Sequence, residues 1–357
     1  MIFFKRIRIL TAIIITAVFS LFVYADVHTE TVASSLSVIK GLEENFKKPI
    51  SVQGPIGLNV RAGYDKNLCI SFNTALHKMS QIEQLPMSFD GSESKDIPVL
   101  LYHHVTTDEG YGDNVISVSV FNMHLLKIKN AGYTTVSVKQ LIDYVYYGID
   151  LPEKPILITF DDGYLSNYEL AYPLLKRHGM KATIFAIGWA IGKDKYKDSD
   201  ASIIPHFDFE HIISMTESGL IEVQSHTFDM HQSKELENTS SVRESVLKLD
   251  GESDEEYIAA LENDYKKFDK LLFNYTGKRN YAIAYPHGDY TDISEETLKR
   301  LGAKVTFITE YKNRNTIVKG NIDSLRALNR FTISESISPS QLISLIDSVY
   351  SDEQENK

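Results

Sequence analysis

From residue 99 onward the chain alternates between two hydrophobic periodicities, and this alternation restricts the fold more than any other feature. Short apolar runs at 99–102, 134–136, 156–160, 182–187, 220–224, 281–285 and 305–308 read as strands. Between them, residues 121–130, 138–147, 168–177, 209–217, 254–273 and 293–301 carry the spacing of amphipathic helices. Gly132 and Gly179 stand where two of these helices should stop. Strands separated by helices in this way pair in parallel, because each helix returns the chain to the same end of the sheet. About seven such units predict an α/β fold, an incomplete parallel β/α barrel with a small N-terminal appendage.

The first 25 residues are of another kind. Lys5, Arg6 and Arg8 form a cationic start with no acidic residue before Asp26, and residues 9–24 are almost wholly apolar. Val23-Tyr24-Ala25 offers the small-residue pattern of a cleavage site. Residues 1–25 therefore read as a signal peptide, with an uncleaved membrane anchor as the alternative. Either one sends the rest of the chain out of the cytoplasm, secreted or held at the cell surface. Residues 26–95 read as an accessory region and linker, with helical spacing at Leu36, Ile39, Leu42 and Phe46, strand-like runs at 56–60 and 68–72, and a polar, turn-rich stretch at 89–96. The main domain is expected over 96–350. Its interior can be sizeable, since 43% of the chain is hydrophobic. A single cysteine, Cys69, excludes an intramolecular disulfide framework or a multi-thiolate metal site. With 37 basic against 48 acidic residues, the chain is a poor partner for nucleic acid.

The unusual polar residues fall at the ends of predicted strands. His103 and His104 follow the first strand, Asp161-Asp162-Gly163 the third, Ser225, His226 and His231 the fifth, and Pro286-His287-Gly288 the sixth. In a parallel β/α barrel these ends converge on one face, where active sites are built. Adjacent carboxylates repel unless a cation or donor lies close, although an Asx turn capping the next helix is the plain structural alternative. Neighbouring side chains diverge in extended backbone, so one carboxylate can bind a metal while the other faces a water. Gly163 permits the tight turn this needs. His226 and His231 could complete an open three-ligand site, and their five-residue spacing calls for an irregular loop between them.

Thr159-Phe160-Asp161-Asp162-Gly163 resembles the first signature motif of the polysaccharide deacetylase family, also called the NodB-homology family or carbohydrate esterase family four. Ser225-His226-Thr227 with His231 resembles its histidine motif, and the resemblance runs from about 98 to about 333. It implies a distorted β/α barrel that removes N- or O-acetyl groups from carbohydrate polymers with a divalent metal. Matched by residue, Asp161 becomes the catalytic base, and Asp162, His226 and His231 become metal ligands. The backbone N–H of His287, after Pro286, becomes an oxyanion donor.

Three departures accompany the match. The histidines are spaced by five instead of four, Ala284 stands where the family has an arginine, and no late Leu-x-His motif supplies an acid. The early Leu101-Tyr102-His103-His104 segment and the wider histidine spacing are similar to the biofilm poly-N-acetylglucosamine deacetylases, whose acid histidine comes from the early strand. The resemblance implies an acid from this segment. Strand alternation sends His103 and His104 to opposite faces, so only one can enter the pocket, His103 being the expected acid and His104 the alternative. Tyr102 is expected beside Pro286 and His287 in the oxyanion and substrate group. Arg330, in a strand-like segment at 328–333, is expected to hold Asp161 with a bidentate fork in place of the family arginine, with Arg326 as the alternative. The expected function is metal-dependent N-deacetylation of an extracellular or cell-wall polysaccharide containing N-acetylglucosamine. O-acetyl ester hydrolysis and carbohydrate binding on the same fold are the alternatives. Mixed carboxylate and imidazole ligands suit zinc first, with cobalt, nickel and manganese also compatible. The expected partner is an N-acetylated glycan, with membrane contact only through the N-terminal segment.

Overall fold

The computed structural model describes residues 93–348, apart from 109–111, 238, 240 and 310–313. The expected signal segment, Cys69 and the elements expected between 34 and 72 lie outside the described residues. Strands β1 (Ser94–Asp96), β2 (Val99–Tyr102), β3 (His104–Thr106) and β4 (Val115–Ser117) precede helix α1 (Val118–Asn130). There follow β5 (Thr134–Thr135), α2 (Val138–Tyr147), β6 (Pro155–Phe160), α3 (Tyr172–His178), β7 (Ala182–Ala186) and α4 (Phe209–Glu217). The second half holds β8 (Ile221–Ser225), α5 (Asp254–Thr276), β9 (Ala282–Ala284), α6 (Asp292–Arg300), β10 (Val305–Phe307), β11 (Thr316–Val318), β12 (Phe331–Thr332) and α7 (Pro339–Asp347). Among the described residues no helix is long and apolar enough to cross a membrane.

The main sheet is parallel throughout, in the order β10-β9-β8-β7-β6-β2-β12, with β5 also pairing β6. It curls into a half-barrel, the incomplete α/β barrel that the alternation predicts. One segment spans the seam between its edges. Leu328 bridges Phe307 of β10, donating to Thr306 O at 2.8 Å and accepting from Ile308 N–H at 2.9 Å. Three residues later Phe331 pairs with Leu100 of β2. Two small pairings were not expected: β1 runs antiparallel to β11, and β3 runs parallel to β4.

Both faces of the strands are covered, which is why they read as continuous apolar runs. Leu100, Ile158, Ile184 and Val223 pack with Phe121, Leu125, Leu174 and Leu175 of the helix layer. Their neighbours Val99, Leu157 and Phe185 join Phe307 and the apolar face of α2 on the other side. Alternate residues thus serve opposite faces. Helix starts follow side-chain chemistry: Ser137, Asp208, Ser253, Thr291 and Ser338 each close a capping box. The expected helix at 168–177 instead opens with a π-helical turn, Asn167–Ala171, before α3. Pro173 has no N–H to continue the regular ladder, and a wider turn absorbs its ring.

The same alternation corrects one expectation. Tyr102 shares the face of Leu100 and is buried in the helix layer, away from the strand-end face. Its ring packs edge-on to Phe121 at 5.1 Å and against Phe160 at 5.5 Å. The hydroxyl lies 3.2 Å from His124 Nδ1, and His124 Nε2 donates to Ile337 O at 2.8 Å. That tautomer leaves Nδ1 as the acceptor, so the tyrosine donates. Tyr102 is a core residue and not a substrate contact. Tyr102→Phe should lower stability by about 1 kcal/mol in denaturant unfolding, and bound metal should stay unchanged.

Candidate active site

Asp161 follows the last residue of β6, on the face of Leu157 and Thr159, and its N–H donates to Tyr102 O at 3.0 Å. Arg330 comes to it from the seam segment. Nη1 donates to Asp161 Oδ1 at 2.6 Å and Nη2 to Oδ2 at 2.7 Å, while Nε reaches Ile308 O at 3.3 Å. The guanidinium also lies 5.7 Å from the Phe185 ring centre. Both partners are almost fully buried, at 2% and 1% exposure. Burial alone would raise the Asp161 pKa, but Arg330 and His226 outweigh it and hold the carboxyl at about 2. Arg326 instead pairs with Glu295 and donates to Ala303 O, away from Asp161.

Asp162 turns out of the strand direction because its backbone is left-handed, with φ of 68°. Gly163 follows at 83°, and a Cβ there would sit 3.0 Å from that of Ala186. Only glycine fits this turn without strain. His226 continues β8, its N–H donating to Ala186 O, and His231 returns from the following loop. Their Nε2 atoms lie 3.6 and 3.7 Å from Asp162 Oδ1. The two imidazoles stand nearly perpendicular, with ring centres 5.1 Å apart.

This set fits a divalent cation. Asp162 Oδ1 is buried and takes no hydrogen bond from the described residues. The separations to both Nε2 atoms exceed a hydrogen bond, but match the span between ligands bound at roughly 2.0–2.2 Å. His226 Nδ1 donates to Ala284 O at 2.8 Å and His231 Nδ1 to Glu244 O at 3.2 Å. These bonds fix the tautomers and leave both Nε2 lone pairs free for a cation. Burial lowers the His226 pKa to about 4 against the pull of both aspartates, so the ring is neutral at neutral pH. Asp162 is also buried, and the charges of His103, His226 and His231 hold its carboxyl below the usual range. Ala284, the position of the missing arginine, contributes through its carbonyl.

His103 stands close enough that its charge acts on both aspartates. Its carbonyl accepts from Asn167 Nδ2 at 2.8 Å, and its buried Nδ1 has no partner among the described residues. His104 is engaged elsewhere, with Nδ1 2.9 Å from Ser166 Oγ and its ring against Tyr164 at 5.5 Å. Pro286–Gly288 forms a tight turn in which His287 has φ of 59°. The His287 ring approaches His231 at 4.8 Å, so this residue brings its side chain as well as its backbone to the cluster. Two residues were not foreseen. Tyr164 sits beside Asp162, and burial followed by that carboxylate pushes its phenol pKa far up. His206 packs on Tyr164 at 5.1 Å, and its buried Nδ1 has no hydrogen-bond partner among the described residues. Tyr164 could have been suspected because it directly follows Asp-Asp-Gly. His206 lies in a loop without periodicity and gave no signal.

Replacing Asp162, His226 or His231 with Ala should each remove most of any bound divalent metal, measured as metal content after dialysis. Asp161→Asn should keep the metal, because the triad does not include Asp161.

Residues 148–306 match the family model for polysaccharide deacetylase. The Bacillus subtilis (strain 168) protein YxkH, provisionally named a polysaccharide deacetylase, is 28% identical over 253 residues, covering 71% of this chain and 77% of its own. A poly-beta-1,6-N-acetyl-D-glucosamine N-deacetylase of Staphylococcus aureus (strain MRSA252) is 29% identical over 197 residues, covering 55% of this chain and 62% of its own length. The solved structure of IcaB from Ammonifex degensii superposes with a TM-score of 0.56 at 25% identity, covering 73% of this chain and 99% of that one. The half-barrel is thus shared with the IcaB structure, and residues 148–306 carry the match to a polysaccharide deacetylase domain.

Proposed function

We propose that this domain, residues 96–350, hydrolyses N-acetyl groups from an extracellular or cell-wall polysaccharide containing N-acetylglucosamine, in a metal-dependent reaction. The observation that carries the proposal is the Asp161–Arg330 pair lying beside the Asp162, His226 and His231 triad. The staphylococcal relative's named substrate and the export-like N-terminal sequence support the choice of polymer and compartment.

Asp162, His226 and His231 would hold the cation, zinc first, which when bound polarises an acetyl carbonyl and makes water a better acid. Asp161 accepts the proton of the attacking water, and Arg330 keeps that carboxylate ionised and aimed. His103 gives a proton to the departing sugar amine. The His287 N–H donates to the developing oxyanion at the turn after Pro286.

Acetate release tests the reading directly. N-acetylglucosamine oligomers should be hydrolysed and acetylated xylan should not, and exhaustive chelation should abolish turnover. Turnover of xylan alone would make the domain an O-acetyl esterase, and release from neither would leave carbohydrate binding. His103→Ala should depress amide hydrolysis more than hydrolysis of activated esters, whose leaving groups need less protonation. Arg330→Lys should keep the metal yet lose about ten- to a hundredfold in turnover, equivalent to about 1.4–2.7 kcal/mol. A base held at about 2 by its fork rises in pKa when the fork is lost. Because the base works deprotonated, the acidic limb of the pH–rate profile should move to higher pH. An unchanged profile in that variant would remove Arg330 from the mechanism.

A further inference from the structure

Helix α5 supplies none of the three ligands, yet it controls the loop that carries one of them. Asp264, midway along α5, is 6% exposed. Its Oδ1 accepts the Phe228 N–H and its Oδ2 the Asp229 N–H, both at 2.7 Å. These donors lie in the loop between His226 and His231. Four consecutive N–H groups of that loop are satisfied: Thr227 donates to Ser225 Oγ at 3.0 Å and Met230 to Thr227 Oγ1 at 3.1 Å, while Asp264 takes the two between. Thr227 itself has φ of 73°, a conformation that a β-branched residue holds only when its surroundings impose it. The loop is held from the other side as well. Gly188 and Trp189 donate to the carbonyls of Thr227 and Phe228, each at 3.0 Å. A Cβ on Gly188 would lie 2.6 Å from the Phe228 ring.

We propose that Asp264 is a positioning residue for the metal centre, fixing the strained 227–230 loop so that His231 Nε2 faces Asp162 and His226. This rests on the reading of those three residues as metal ligands. Asn at 264 has one acceptor oxygen and an amino group, so one of the two loop N–H groups would lose its partner.

The test measures zinc affinity of the full chain by competition with a chromophoric chelator, together with the visible absorption of the cobalt-loaded protein. Asp264→Asn should weaken zinc about tenfold and shift the cobalt spectrum toward that of His231→Ala. In a His231→Ala background the same change should weaken zinc less than about twofold, because the ligand it positions is already gone. Gly188→Ala presses on the same loop from its opposite face. It should show the same background dependence, and it decides the matter if Asp264→Asn does not fold. Equal losses in both backgrounds would make Asp264 a general stability residue and overturn the proposal, as would unchanged zinc affinity in Asp264→Asn. Absence of zinc binding by the unaltered protein would instead overturn the metal reading itself, and the proposal with it.

Discussion

A bidentate ion pair sealed from water organises this protein. Asp161 and Arg330 are each nearly inaccessible, and either charge buried there without the other would be costly. The pair persists because its geometry is good: two parallel bonds, a third guanidinium bond to Ile308 O, and the Phe185 ring nearby. Since Arg330 sits in the segment that bridges β10 and β2, one interaction joins the sheet's seam to the Asp161 carboxylate. Removing either partner would leave an uncompensated charge in the interior, so fold and site share this dependence.

Regular secondary structure cannot bring the remaining groups together. Asp162, Thr227 and His287 all carry positive φ, one after each of three different strands. Each departure redirects the chain where the strand would otherwise continue. Such residues persist only where neighbours over-determine them. Here the neighbours are Gly163 against Ala186, Asp264 beneath the 227–230 loop, and Gly288 against the backbone of Thr309.

The sheet was legible in the sequence because most of its strands are buried on both faces and therefore mainly apolar. The β1–β11 pair was not, since Ser94–Asp96 is polar and its partner lies far along the chain. The Asp and His residues of the centre stood out by their place at strand ends. Arg330 could be sought because a second carboxylate beside Asp162 demands a cation. Tyr102 was misplaced in the oxyanion and substrate group, although period-two alternation already sends it and His103 to opposite sides. Asp264 and His206 left no trace in sequence. Their importance comes from which backbone or ring packs against them, and that depends on long-range folding.

The seam also ties Asp161 to distant parts of the chain. Asp161 and Arg330 are separated by 169 positions, a long-range contact, and the strand pairing beside it, Phe331 with Leu100, reaches farther still. Until the 328–332 segment docks, β2 and β10 remain open edges and the carboxylate lacks its counter-charge. The Asp162, His226 and His231 cluster draws no residue from that segment. A lesion in the seam would therefore disturb the charge balance of Asp161 while leaving every residue of that cluster in place.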